Sequence, residues 1–259
     1  VLHATAGSMV EIALAQTPFY AEMGGQDSDT GIIRANGFDL EVLDVQAPVP
    51  GLIVHKVQLD GDLAVGDEVS AQVDPAARFE ACKAHTATHV LHAALRELVG
   101  PSATQAGSYN KPGYLRFDFT ATKGLSEQLR SEIEQRCNEA IHDDFEVTDS
   151  RMPLEEARAM GAMAMFGEKY PPIVRVVELN GAWSRELCGG THVATSAEVG
   201  LINLVGKNCK TSAPVEIPVS GTMKGGFDPI TLSGNFTIPS FTGCGVLSSS
   251  ATPKACARR

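Results

Sequence analysis

The chain has 259 residues, 43% of them hydrophobic and 20% charged, and a formal net charge of −10. That size and composition fit a globular protein with one long or two small cores, and no apolar run approaches the roughly 18–20 residues of a membrane span. The acidic balance argues against non-specific binding to nucleic acid.

The charge is uneven. From Gly206 onward, Lys207, Lys210, Lys224, Lys254, Arg258 and Arg259 face only Glu216 and Asp228, so this stretch carries +4 and the rest carries −14. The first residues, Val1-Leu2-His3-Ala4, have neither a basic flank nor a long apolar stretch, so no secretory signal is expected. Six cysteines (Cys82, Cys137, Cys188, Cys209, Cys244, Cys256) are sparse and irregular, unlike the framework of a small disulfide-rich domain. Cys82 and Cys137 fall in helical patterns and read as small buried thiols. The expected compartment is the cytoplasm.

In chain order, residues 10–14, 38–45, 52–57 and 68–73 alternate or run apolar as short strands, with turns at Asp60-Gly61 and Gly66-Asp67. Strands at this spacing predict a small β-barrel over residues 1–75. Asp74-Pro75 marks a change of pattern. Residues 76–99 read as a helix with Ala84, Thr88, Leu91, Leu95 and Leu98 on one stripe, stopped by Gly100-Pro101. His85 and His89 lie beside that stripe, at the margin between core and cleft. Residues 114–119 alternate as a strand. Ser126 caps a helix running to about Asp143, with Leu129, Ile133, Cys137 and Ile141 inward. Pro153 starts a short helix that Gly161 stops, and strands are expected over 173–177 and 201–205. The fold class is therefore α+β, a small β-barrel followed by helices packed on an antiparallel sheet over residues 76–205. Residues 206–259 form a Gly-, Ser-, Thr- and Pro-rich tail with β-like fragments at 215–219, 230–232 and 236–238.

Two short patterns carry the chemistry. His85-Thr86-Ala87-Thr88-His89 puts two imidazoles one helical turn apart on one face. Cys188-Gly189-Gly190-Thr191-His192 flanks a Gly-Gly pair that lets its ends fold towards one point. Three imidazoles and one thiolate suit zinc, held between remote parts of the chain. Position 86 is Thr, so the zinc-protease pattern is absent. His3, His55, His92 and His142 read as ordinary surface or core histidines, and Arg116 with Asp118 as a structural pair.

A longer run, His85-Thr86-Ala87-Thr88-His89-Val90-Leu91-His92-Ala93-Ala94-Leu95-Arg96, resembles the first zinc motif of the editing domain of alanyl-tRNA synthetases and its free-standing relatives. Gln105-Ala106-Gly107-Ser108 and Leu115-Arg116-Phe117-Asp118-Phe119 follow in that family's order. Gly161-Ala162-Met163-Ala164-Met165-Phe166-Gly167-Glu168-Lys169-Tyr170 and Glu186-Leu187-Cys188-Gly189-Gly190-Thr191-His192-Val193 are similarly close. Upstream, Thr17-Pro18-Phe19-Tyr20-Ala21-Glu22-Met23-Gly24-Gly25-Gln26 resembles the barrel segment before that domain and points to the alanyl rather than the threonyl branch. Met23 stands where that family usually has a small residue. The likeness covers roughly residues 8–205; residues 206–259 match no part of the family.

The resemblance implies proofreading, the hydrolysis of serine or glycine esters on the acceptor end of the tRNA for alanine. It implies Zn2+ on His85, His89, Cys188 and His192, and catalytic roles for Thr88 and Gln105. Thr88 could bond the serine hydroxyl, or bond its own helix backbone; Gln105 could orient a water or the ester. No aminoacylation domain is expected in this chain. Two other functions stay open on the residues alone, a zinc-stabilised RNA-binding module without catalysis and a metal-dependent hydrolase of a small ester. No membrane partner is expected.

Overall fold

The computed structural model describes residues 3–35, 37–121, 124–164, 169–205 and, as backbone, 229–235. The first module holds seven strands: β1 (His3–Ala4), β2 (Met9–Ala13), β3 (Gly31–Ala35), β4 (Phe38–Val49), β5 (Leu52–Gln58), β6 (Leu63–Ala64) and β7 (Val69–Val73). Five of them make an antiparallel sheet in the order β2-β5-β4-β3-β7, and β1 pairs with β6. This sheet stands where the small barrel was expected. Its pairing is an open row, and among the described residues no pairing joins the end strands β2 and β7.

Alternation sets its inner face. Leu40, Val42 and Val45 of β4 are buried, together with Phe19, Ile33, Val57 and Leu59. A strict period of two would bury Asp44 after Val42. A register shift against β5 between Val42 and Asp44 instead turns the carboxylate outward and Val45 inward. His55 is fully buried here. Its Nδ1 donates to Ile12 O at 3.1 Å, so its Nε2 accepts from the Thr17 hydroxyl at 2.7 Å. Burial lowers the pKa of this ring and keeps it neutral.

The second module begins at Asp74, whose carboxylate accepts from Ala76 N and Ala77 N ahead of Pro75, a strong helix start. Helix α1 (Pro75–Leu98) differs from the expected one-stripe amphipath, because every residue from Ala84 to Leu95 is buried. It packs against helix α2 (Glu127–His142) and against the hairpin of β8 (Gln105–Lys111) and β9 (Tyr114–Thr120). A helix enclosed on all sides has no solvent face to keep polar. Its histidines are therefore interior groups rather than margin groups. Gly113, at φ 71°, follows Pro112 in the two-residue turn between β8 and β9, a conformation that favours glycine.

The chain continues through β10 (Val147–Pro153), α3 (Leu154–Ala159), β11 (Ile173–Leu179) and β12 (Ser184–Leu187), an antiparallel sheet in the order β10-β11-β12. Strand β13 (Pro229–Asn235) pairs antiparallel with the free edge of β9. It contains the expected 230–232 fragment, while those at 215–219 and 236–238 lie outside the described residues. The core joins Val90, Leu91 and Leu95 of α1 to Leu115, Phe117 and Phe119 of β9 and to Ile133 and Cys137 of α2.

Two expectations need correction. Residues 201–205 form no strand among the described residues. Side chains of α2 take over the backbone pairing there: Asn138 bonds both Ile202 N and Ile202 O, and Glu134 accepts from Leu204 N at 2.6 Å. Cys82, read as a free buried thiol, is buried but disulfide-bonded; Cys137 is free and buried as expected. Cys209, Cys244 and Cys256 lie outside the described residues. No described helix is long and apolar enough to cross a membrane.

The shared core gives a direct test. Phe117→Ala removes a fully buried ring between α1 and the hairpin and is expected to cost about 3–5 kcal/mol in urea unfolding. A cost near zero would contradict the assigned packing.

Candidate metal centre

The two short patterns meet. Helix α1 presents His85 and His89 from successive turns, and the chain leaving β12 at Leu187 enters the loop that carries Cys188 and His192. The four donor atoms all lie within 4.8 Å of one another. Cys188 Sγ stands 3.3 Å from His85 Nε2 and 3.3 Å from His192 Nε2. Metal bonds of about 2.0–2.3 Å at tetrahedral angles place donors roughly 3.3–3.7 Å apart, so the set is close to that of a four-coordinate ion. Among the described residues, no other group of three or more His, Cys, Asp or Glu side chains is so disposed.

The loop is held from outside. Arg175 of β11 donates through Nη1 to Gly190 O at 2.7 Å and to Cys188 O at 3.3 Å, and its Nε bonds Asp149 at 3.0 Å. Gln26, from the first module, has its Oε1 2.7 Å from His85 Nδ1. Thr86 Oγ1 accepts from Val193 N and stands 3.1 Å from His192 Nδ1. Glu186 lies 3.0 Å from His92 Nδ1 and 3.9 Å from His89 Nδ1.

Burial decides the protonation states. It lowers His85 to about 3, with the neighbouring His89 adding to the effect, and it lowers His89 and His192 as well. It also pushes the Cys188 thiol up to about 12. At neutral pH the quartet is therefore three neutral imidazoles and one thiol. A cation gains the fourth donor only by displacing the thiol proton, which leaves a divalent ion and one thiolate with a net charge of +1. Burial alone would raise Glu186, but His89 and His92 beside it hold the carboxyl low. The donor set, one soft sulfur and three imidazoles, fits zinc.

The other expected site residues sit as follows. Thr88 is buried on α1, with Oγ1 at 3.0 Å from Ala84 O and 2.6 Å from Asn110 Oδ1. Its single proton is used within the protein, the helix-bonded alternative left open by the sequence. The Asn110 amide nitrogen beside it is buried without a partner among the described residues. Gln105 opens β8 and donates to Ser108 Oγ at 2.9 Å. Arg116 and Asp118 pair at 3.2 Å. His142 is exposed, whereas His92 is buried against Glu186. Met165, Phe166, Gly167 and Glu168 of the third motif lie outside the described residues. Sequence reasoning missed Gln26, Thr86, Glu186, Asn110 and Arg175 as site residues. Gln26, Thr86 and Glu186 stood inside quoted motifs, but pairing them with a histidine needs the tertiary fold.

The Gly-Gly pair works by closeness rather than by turn flexibility, since neither glycine has a positive φ. A Cβ on Gly190 would overlap His85 Cε1 and Nδ1 and reach 2.8 Å from Gln26 Oε1, whereas one on Gly189 would meet only the flexible end of Met23, at 3.2 Å. Gly190→Ala is therefore expected to lose metal binding by chelator competition, and Gly189→Ala to keep it; equal behaviour would contradict the geometry. The lowered histidines add a pH dependence. Each binds fewer protons folded than unfolded below its ordinary 6.5, so their contribution is full above pH 6.5 and is lost as pH falls towards about 3 for His85. The urea midpoint of the metal-free chain should drop on acidification below pH 6.5, and a midpoint that rises would refute the assignment.

Comparison with known proteins agrees with the motif reading. Residues 1–77 match the family of class II (A) tRNA synthetases, and residues 174–218 match the second additional domain of threonyl and alanyl tRNA synthetases. The second match runs past residue 205, the end of the motif likeness, into the stretch expected to match no part of the family. The chain is 79% identical over 207 residues to the alanine–tRNA ligase of Cutibacterium acnes, covering 80% of this chain and 23% of that protein. It is 54% identical over 208 residues to that of Renibacterium salmoninarum and 55% over 207 to that of an Arthrobacter species, with the same coverage. The chain thus spans about a quarter of the length of these relatives. Over four-fifths of its own length the chain is similar to these alanine–tRNA ligases, and residues 174–218 match the second additional domain of threonyl and alanyl tRNA synthetases.

Proposed function

We propose that this chain is a zinc-holding esterase that removes serine or glycine from wrongly charged tRNA for alanine, in the cytoplasm, either in trans or as part of a synthetase. The convergence of His85, His89, Cys188 and His192 carries the reading. In this division of labour, residues 1–75 form a small barrel-like module, residues 76–205 the editing module, and residues 206–259 a tail.

The chemistry needs little acid help, because a ribose hydroxyl leaves readily from an activated ester. It needs a placed water and a stabilised oxyanion. Zinc held by His85, His89, Cys188 and His192 would supply Lewis acidity towards a water or an ester carbonyl where one donor is displaced or the shell expands. Gln105 uses one amide hydrogen on Ser108, so its carbonyl and second hydrogen are free to orient a water or the ester. Thr88 reads the hydroxyl of serine by turning from Asn110, whose unpartnered amide nitrogen is beside it.

Four protein donors close a tetrahedral shell, which favours an orienting role for the ion. That closed shell also favours a second reading, a zinc-stabilised module that holds an RNA end without catalysis. Deacylation assays separate the two. The chain is expected to release serine and glycine from charged alanine tRNA, with His85→Ala and Cys188→Ala at least about 100-fold slower, the upper range for loss of metal support. RNA binding with one bound metal and no release would favour the second reading. Thr88→Val is expected to slow serine release at least about tenfold more than glycine release, the scale of one lost polar contact. Equal slowing would remove Thr88 as selector.

A further inference from the structure

We infer that Gln26 is a positioning residue of the metal centre. One side-chain amide from the first module fixes the tautomer of His85 and the setting of the Cys188–His192 loop. The inference rests on the metal reading above and deepens it.

The amide orientation follows from its partners. The Thr191 backbone N–H can only donate, so the Gln26 atom 2.8 Å from it is the carbonyl oxygen. That same oxygen lies 2.7 Å from His85 Nδ1. Nδ1 therefore carries the ring proton, and the lone pair of Nε2 faces Cys188 Sγ. The other end of the amide donates to Thr191 Oγ1 at 2.8 Å. Gln26 is fully buried and spans 59 residues to His85 and 165 to Thr191. It thereby ties both halves of the donor set to the first module.

The surrounding turn delivers it. Gly24 and Gly25 both have positive φ, and a Cβ on Gly25 would overlap Ser108 Oγ, so glycines let the turn lie flush on β8. Asn110 N donates to Gly25 O at 2.6 Å, and Asp27 N to Asn110 O at 2.9 Å, which locks the turn to β8 on both sides of Gln26. Without the Gln26 oxygen, His85 Nδ1–H and Thr191 N–H lose a buried acceptor. The ring is then free to carry its proton on Nε2, where the cation must bind.

The test is Co2+ binding by the full chain, read from the thiolate-to-cobalt and ligand-field absorption, with Zn2+ affinity from chelator competition. Gln26→Ala is expected to weaken affinity about 10–100-fold and to alter the spectrum. Gln26→Glu can still accept from His85 and Thr191 N, and the Thr191 hydroxyl can turn to donate to it, so it should stay within a few-fold of the parent. Tyr109→Phe removes the 3.0 Å bond to Asp27 beside the turn without touching His85, and should leave affinity and spectrum unchanged. Unchanged metal binding in Gln26→Ala overturns the inference alone. So does a Tyr109→Phe or Gln26→Glu loss as large as that of Gln26→Ala, because seating or mere substitution would then explain it. A parent chain that binds neither ion overturns the metal reading itself.

Discussion

Buried polar atoms without water must find partners inside the protein, and the middle of α1 imposes that demand. From Ala84 to Leu95 the helix is enclosed, yet it carries His85, Thr86, Thr88, His89 and His92. Each of these side chains has to be answered by another element. Gln26 answers His85, the hydroxyl of Thr86 answers the 188–193 loop, Asn110 answers Thr88, and Glu186 answers His92. The ring atom His89 Nδ1 has no hydrogen-bond partner among the described residues and faces Glu186 at 3.9 Å. The inner nitrogens of His85 and His192 instead converge with the Cys188 sulfur, a donor set that could hold a metal ion.

This demand also ties the modules together. Arg78 of α1 forms a paired bond with buried Asp29 and reaches Pro18 O, so the helix that holds the donors is anchored to the first sheet at its start. Gln26 anchors it again at the site. The 23–26 turn is thus a structural part of the centre as well as a link in the first module. Two glycines with different tasks serve it: Gly25 brings the turn against β8, and Gly190 brings the loop against His85.

Much of this was legible in the residues. Asp74-Pro75 and Ser126 marked helix starts that the structure keeps, and the paired spacings of His85/His89 and Cys188/His192 gave the four donors. Local patterns report what a residue does to its own element. They fail where a distant partner decides the outcome. The helix stripe read from Ala84 to Leu98 could not show that α1 is enclosed on all sides. Alternation over 38–45 could not show the shift that turns Asp44 outward. Strand-like Leu201 to Val205 found its backbone partners on Asn138 and Glu134 of a helix. For the same reason the sequence leaves the Thr88 hydroxyl between a serine hydroxyl and its own helix backbone, while the fold also brings Asn110, 22 residues away, to within 2.6 Å of it.

The account turns on one ion held by three nitrogens and one sulfur. X-ray absorption at the zinc edge of the zinc-loaded chain examines this directly. The expected first shell is three nitrogen neighbours at about 2.0–2.1 Å and one sulfur at about 2.3 Å. A shell of oxygens or nitrogens without sulfur, or zinc that washes out in dilute chelator with no ordered shell, would contradict it.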